Sequence, residues 1–409
     1  MRRASSTLVL GTIPNAHAHV VKLVNTLHSG CSEQTLLEVR VFSWAHSNPV
    51  DNWIFLFISM RIVYLHTNPA QREIDDLISD ITSNFISKDN QLFEIQYMDF
   101  KWFRLSSLIK LRRFLKENKI DIIHTFNYID TYYTLMASFG LNVKVAFSCY
   151  SYFENLKGIH KRILKTVMSK VDAVIFQTEI QKKKFTSDYP NASLKFFKLF
   201  HAFSSKRLDN YKYESIRDEY FIDDYRYLIG TLRDISPKHD VMTILKMVKK
   251  LRKSGRNFTC LISGGVYENN DTYFDECKYY FLMQGLDNYI NYVGDRKDHA
   301  NYLSQLDVFV YHSDNEVIAM PVIEAMMMGL NVVVNDDEMI REITHNGKYA
   351  TLYKSKDALD FAEKTRSVLQ ELEDYRIIAE TIKEESRDIF SIERHIHKLK
   401  EIYKNIKNN

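Results

Sequence analysis

The chain has 409 residues, 45% of them hydrophobic and 26% charged, the balance of a folded globular protein and too long for one ordinary core. Only 12 glycines and 6 prolines exclude collagen-like, linker-rich and low-complexity designs, and 25 Phe with 25 Tyr exclude a disordered chain. The net charge of +3 hides an asymmetry: residues 101–205 hold 18 Lys/Arg against 7 Asp/Glu, whereas residues 206–409 hold 30 against 35, so a basic surface is expected on the first half alone.

At the start, the apolar run Leu8-Val9-Leu10 is short and soon meets Pro14, so no secretion signal is expected. Cys31, Cys149, Cys260 and Cys277 have no metal or redox spacing and read as reduced thiols of a cytosolic protein. Short β-rich runs then alternate with helical patterns. Thr7–Leu10, Leu37–Phe42, Arg61–Leu65, Ile120–His124, Val143–Ser148 and Asp172–Gln177 read as buried strands. Val20–Leu27, Leu105–Lys116 and Tyr152–Met168 read as helices between them. Such alternation predicts a parallel sheet with helices on both faces. Trp53–Leu65 is too short, and with Arg61 too charged, to span a bilayer, and is expected inside a domain. Lys101 to Lys119 predicts a helix with one apolar and one basic face, suited to packing on the sheet, to an anionic membrane, or to both.

The pattern pauses over residues 201–225. This divides the chain into a first domain over residues 1–204, a linker over 205–225, a second domain over 226–389 and a terminal helix over 390–409. In the second domain Tyr227–Thr231, Thr259–Ser263, Ile290–Val293, Val308–Tyr311 and Val332–Asn335 read as strands. Two doubly wound domains of this kind would bind ligand in a cleft between them.

The richest segment follows Val308–Tyr311. A polar loop carries Glu316, Pro321 suits a helix start, Glu324 is expected in the first helical turn, and Gly329 suits a left-handed cap. A helix N-terminus at the edge of a parallel sheet, with free amides at Ala319, Met320 and Val322, can hold an anion. Glu316 and Glu324 can accept hydrogen bonds from sugar hydroxyls beside it. Arg233 and Lys238 follow the first strand of the same sheet and can grip phosphates, stabilising the charge on a departing diphosphate.

These residues carry a resemblance. Residues 226–406 resemble the retaining glycosyltransferases of family 4, which have the GT-B fold. Glu316, Pro321, Glu324, Ala325, Met326 and Gly329 fit the family's paired-glutamate pattern, Arg233 and Lys238 its Arg/Lys pair, and Gly264-Gly265 and Gly294 its glycine positions. The resemblance implies two Rossmann-like doubly wound α/β domains facing a cleft, with a C-terminal helix packing back towards the first. It implies retaining transfer of a sugar from a nucleotide-diphosphate sugar to a saccharide or lipid-linked saccharide, in bacterial surface polysaccharide synthesis. By it, Arg233 and Lys238 hold the pyrophosphate, Glu324 the ribose, and Glu316 the transferred sugar. Val317, Ile318, Ala319, Met320, Gly230 and Gly264 line the donor site, and His124 and His17 lie on the acceptor side. No metal, cofactor or nucleic acid is expected; the setting is cytoplasmic, at the inner face of a membrane touched through Lys101–Lys119.

The sequence also departs from the family. Val317 and Ala319 stand where it has glycines, Phe126 where it has a second histidine after His124, and Asp337-Glu338 where Gly-Gly is common; its glycine-rich first loop is missing. These departures define an alternative, a catalytically degenerate GT-B scaffold or partner subunit.

Overall fold

The structure is a computed structural model that describes residues 9–11, 20–22, 38–42, 60–66, 72–85, 91–96, 105–154, 156–266, 270–314 and 316–408. His17 and residues 101–104 lie outside these. The chain divides into two units: residues 1–201 with 395–409, and residues 202–394.

The first unit is built on a seven-stranded sheet. Its order is Glu38–Phe42, Gln91–Gln96, Arg61–His66, Ile122–Thr125, Lys144–Cys149, Ala173–Phe176 and Phe196–Lys198; all neighbours are parallel except the first pair. Ile122–Thr125 and Ala173–Phe176 are buried throughout, as strands covered on both faces must be. An aspartate before a strand recurs as a register device. Asp121 Oδ2 accepts from the amide of Arg61 and Asp172 Oδ2 from that of Val145, both at 2.8 Å. Asp307 repeats it in the second unit, accepting from Leu228 at 2.8 Å. Each satisfies an edge amide that the neighbouring strand is too short to reach.

The helix Leu105–Glu117 buries Leu108, Leu111 and Leu115, while Lys110, Arg112, Arg113 and Lys116 remain exposed. Its basic face is therefore free of the core. Asn127 caps the next helix, Tyr128–Ser138, by accepting from Ile129 N at 2.8 Å. The expected helix at Val20–Leu27 is corrected over Val20–Lys22, which pairs antiparallel with Val9–Gly11; its remainder lies outside the described residues. β-branched and apolar residues there suit either periodicity, and strand pairing decides. The terminal helix Ile392–Asn408 buries Ile396, Leu399, Ile402, Tyr403 and Ile406. That spacing is one apolar stripe.

The second unit has six parallel strands in the order Ile290–Gly294, Phe258–Ser263, Tyr227–Leu232, Val308–Tyr311, Asn331–Asn335 and Thr351–Tyr353. The chain moves outward from Tyr227–Leu232 to one edge, then returns to lay Val308–Tyr311 on its other side. This reversal makes a crevice beyond the carboxyl ends of those two strands, the place where open α/β sheets bind ligands. Val241–Leu251 packs on Ala358–Gln370, and Met320–Met328 on Leu372–Ile389.

Candidate active site

Arg233 follows the strand Tyr227–Leu232 at the reversal point. Its amide donates to Ser263 O at 2.9 Å, and the side chain is only 7% exposed. The guanidinium carbon lies 4.3 Å from the centre of the Tyr311 ring, at the end of the adjacent strand. Nη2 donates to His239 Nδ1, whereas Nε and Nη1 are buried with no partner among the described residues. Burial first, then Arg233 and Lys238, push His239 down to about 3, so its ring is neutral and can accept that bond. A buried cation with two idle donors is costly unless an anion completes it.

Lys238 is exposed in the short turn Pro237–His239. Neither it nor Arg233 pairs with Asp234 or Asp240, the carboxylates nearest in sequence. Asp240 is engaged as the cap of Val241–Leu251, accepting from Thr243 Oγ1 at 2.6 Å. Burial raises the Asp234 carboxyl, with Asp295 adding to it.

Glu316 and Glu324 come from the loop and helix after Val308–Tyr311. Tyr311 Oη donates to Glu316 Oε2 at 2.8 Å. Glu324, 6% exposed, holds its Oε2 3.0 Å from His299 Nδ1. It is the fifth residue of Met320–Met328, one turn deeper than the sequence suggests. The amide of Val322 is also spent, donating to Ala319 O at 3.1 Å, so the expected free amide there is corrected. A tight first turn made this bond. Those of Ala319 and Met320 bond no described group. Val317, Ile318, Ala319 and Met320 are all buried. Gly329 ends the helix at φ 77°, its amide bonding Met326 O at 3.0 Å.

Gly264 is where two strand ends touch: a β-carbon there would lie 1.6 Å from Arg233 O. Gly230 lies mid-strand, its missing side chain filled by Leu306 and the Tyr302 hydroxyl, which is a packing position. Behind the site, His312 is fully buried, with Nδ1 2.6 Å from Tyr353 Oη and Nε2 3.5 Å from Asp240. Burial lowers its affinity for a proton against the pull of Asp240 and Asp314. Tyr311, His239, His299 and His312 escape the sequence reading: Tyr311 meets Arg233, His299 meets Glu324 and His312 meets Tyr353 only across long stretches of chain, and His239, six residues after Arg233, carries no periodic signal. The one local signal was a Tyr-His pair at the end of an otherwise apolar strand, Tyr311 closing it and His312 following.

In the first unit His124 is 2% exposed, and both ring nitrogens are occupied, Nδ1 by Tyr403 Oη at 2.6 Å and Nε2 by Ser148 Oγ at 2.8 Å. Tyr403 Oη also donates to Tyr64 Oη at 3.2 Å. Nδ1 of His124 therefore carries the hydrogen, and burial holds the ring neutral with a pKa of about 3. The histidine ties the terminal helix to the sheet and has no nitrogen left for a substrate. Phe126 stacks on it at 4.7 Å. Among the described residues no cluster of three or more His, Cys, Asp or Glu is placed to hold a metal, and no helix is long and apolar enough to cross a membrane.

Two family models match the chain: glycosyl transferases group 1 over residues 212–385, and glycosyltransferase family 4 over residues 90–194. No curated protein matches the sequence. Among solved structures, a glycosyltransferase from Rickettsia africae is 16% identical, with a TM-score of 0.72 over 86% of this chain and 100% of that one. Anabaena HepE, solved with UDP and glucose, is 14% identical, with a TM-score of 0.70 over 85% and 100%. A sucrose-phosphate synthase from Thermosynechococcus elongatus is 12% identical, with a TM-score of 0.68 over 85% and 99%. Identities this low establish a shared fold, the GT-B architecture, and nothing finer.

Proposed function

We propose, for a chain that belongs to the group 1 glycosyltransferases and is therefore a sugar-transferring enzyme, that it moves a sugar from a nucleotide-diphosphate sugar to a saccharide or lipid-linked saccharide with retention of anomeric configuration. The observation that carries this reading is the buried Arg233 guanidinium, with Nε and Nη1 unpartnered at the strand reversal. An anion of at least two oxygens completes it, and a diphosphate supplies them. The amides of Ala319 and Met320 add donors with the helix dipole behind them. Lys238 adds charge from the exposed turn. Glu324 accepts from the ribose and Glu316 from the transferred sugar.

In the transfer, the bond from the anomeric carbon to the diphosphate oxygen breaks and its electron pair stays on the phosphate. The acceptor oxygen bonds the same face of that carbon, and its proton passes to the leaving phosphate. Arg233 and Lys238 stabilise the charge that appears there. Because HepE was solved with UDP-glucose, uridine donors are the first to test. Bacterial surface polysaccharide is the product class we favour. We place the enzyme at the inner face of a membrane, in contact through the exposed bases of Leu105–Glu117. The helix Gly158–Lys170, which packs on Tyr128–Ser138, also exposes Lys161, Arg162, Lys165 and Lys170 and carries no acidic residue.

Donor hydrolysis across UDP- and GDP-sugars tests the reading, with Glu324→Ala as the probe of the site. Turnover of one donor, reduced by about two orders of magnitude or more in the variant, is expected. A well-folded wild type that binds and turns over none would favour the scaffold alternative instead.

A further inference from the structure

We infer that Tyr311 is a positioning residue that sets the phosphate-side cation and the sugar-side carboxylate in one fixed relation; this rests on the donor-site reading above. Tyr311 ends the strand Val308–Tyr311, at the reversal of the sheet, and is 1% exposed. Its two functional parts point to two different groups. The ring face lies under the Arg233 guanidinium at 4.3 Å. The hydroxyl donates to Glu316 Oε2 at 2.8 Å.

Volume alone does not explain a tyrosine here. A phenylalanine would fill the same space and bring no phenol needing a partner in the interior. The phenol instead reaches a half-buried carboxylate five residues along the chain. By occupying Oε2 it leaves Oε1, which has no partner among the described residues, as the oxygen still able to accept from a hydroxyl. The same loop is tied at two further points: Ser313 N donates to Asn335 Oδ1 at 3.0 Å, and Lys356 Nζ lies 2.8 Å from Asp314. Glu316 is thus held at the third of three anchors, and Tyr311 is the anchor shared with Arg233.

On the arginine side, the π face balances a cation that burial has stripped of water. His239 takes Nη2, so the ring and the histidine together fix which N–H groups remain for an anion. A donor with its diphosphate on Arg233 and a sugar hydroxyl on Glu316 then meets a spacing set by one rigid aromatic side chain. Such a residue discriminates donors by the distance between the diphosphate and the hydroxyl.

Tyr311→Phe keeps the ring and removes the bond to Glu316; Tyr311→Leu removes both. The measurements are UDP binding by calorimetry and turnover of the nucleotide sugar that wild type hydrolyses, each also in a Glu316→Gln background. Tyr311→Phe is expected to bind UDP within about twofold of wild type while kcat falls about tenfold, the size expected for a lost bond to a charged group. In the Glu316→Gln background the same change is expected to alter kcat by less than about twofold, because the two residues act through one bond. Tyr311→Leu is expected to weaken UDP binding as well. Equal kcat in wild type and Tyr311→Phe, or the same fall in both backgrounds, overturns the inference and leaves the donor site standing. A wild type that binds no nucleotide overturns the donor-site reading and this inference with it.

Discussion

Replacing Arg233 with methionine should leave the nucleotide-free protein about as stable as wild type while removing its affinity for nucleotide. The apolar stem is kept and the guanidinium is lost. In the folded protein Nε and Nη1 are buried without partners, and each unpaired donor costs about 1–3 kcal/mol. Against this stand the contact with the Tyr311 ring, worth about 0.5–2 kcal/mol, and the charge-assisted bond to His239, worth about 1.5–3 kcal/mol. At the centre of these ranges the two sides balance to within about 1 kcal/mol. For a unit the size of residues 202–394, that is a change in Tm of no more than about 4 °C. Saturating UDP at 100 times its Kd should add about 2.7 kcal/mol to wild type and nothing measurable to the variant. Losing two charge-assisted bonds to phosphate, at about 1.5–3 kcal/mol each, raises the variant's Kd by at least about 100-fold. Thermal unfolding with and without UDP, followed by calorimetry, reads both effects. A variant more than about 4 °C less stable than wild type without ligand, or one still stabilised by UDP, would refute the idea that Arg233 waits for an anion.

Gly264→Ala places a β-carbon 1.6 Å from Arg233 O, a backbone atom that no rotamer change can move aside. A loss of at least about 3 kcal/mol and of UDP binding is expected by chemical denaturation and calorimetry; Gly140→Ala, with open space but φ of 72°, should cost only about 1 kcal/mol. The first unit should be acid-labile. His124 and His395 are buried with pKa values lowered to about 3 and about 4, chiefly by burial, so below pH 6.5 the unfolded chain takes up protons that the folded one refuses. Their contribution is constant above pH 6.5, falls by about 1.4 kcal/mol per pH unit for each as the pH drops, and is spent near their folded values. A Tm unchanged between pH 7 and 5 would contradict this. Finally, Lys161→Glu, Arg162→Glu and Lys165→Glu together should lower partition onto anionic phospholipid vesicles by roughly 100-fold, at about 1 kcal/mol per base. Equal sedimentation of the variant and wild type with those vesicles would remove the membrane from the reading.

In the second sheet Phe258–Ser263, Val308–Tyr311 and Asn331–Asn335 were legible because they are buried throughout and so are written as largely apolar runs, whereas the partly exposed Thr351–Tyr353 was not. Val308–Tyr311 has the same ends in sequence and structure. The first sheet was less so: Gln91–Gln96 mixes polar and apolar residues without a clean period, and its pairing with Glu38–Phe42 and Arg61–His66 makes it a strand. The same division runs through the site. Arg233, Lys238, Glu316 and Glu324 sit at positions marked by local punctuation, a strand end, a proline or a glycine cap. What those residues do depends on contacts without local spacing. Arg233 meets Tyr311 78 positions along the chain, Glu324 meets His299 25 positions back, and His124 is occupied by Tyr403 279 positions away. A histidine closing a buried strand has the same sequence whether it faces a substrate or a tyrosine. The distinction lies in whether a distant helix returns to cover it, and Tyr403 on the last helix does so.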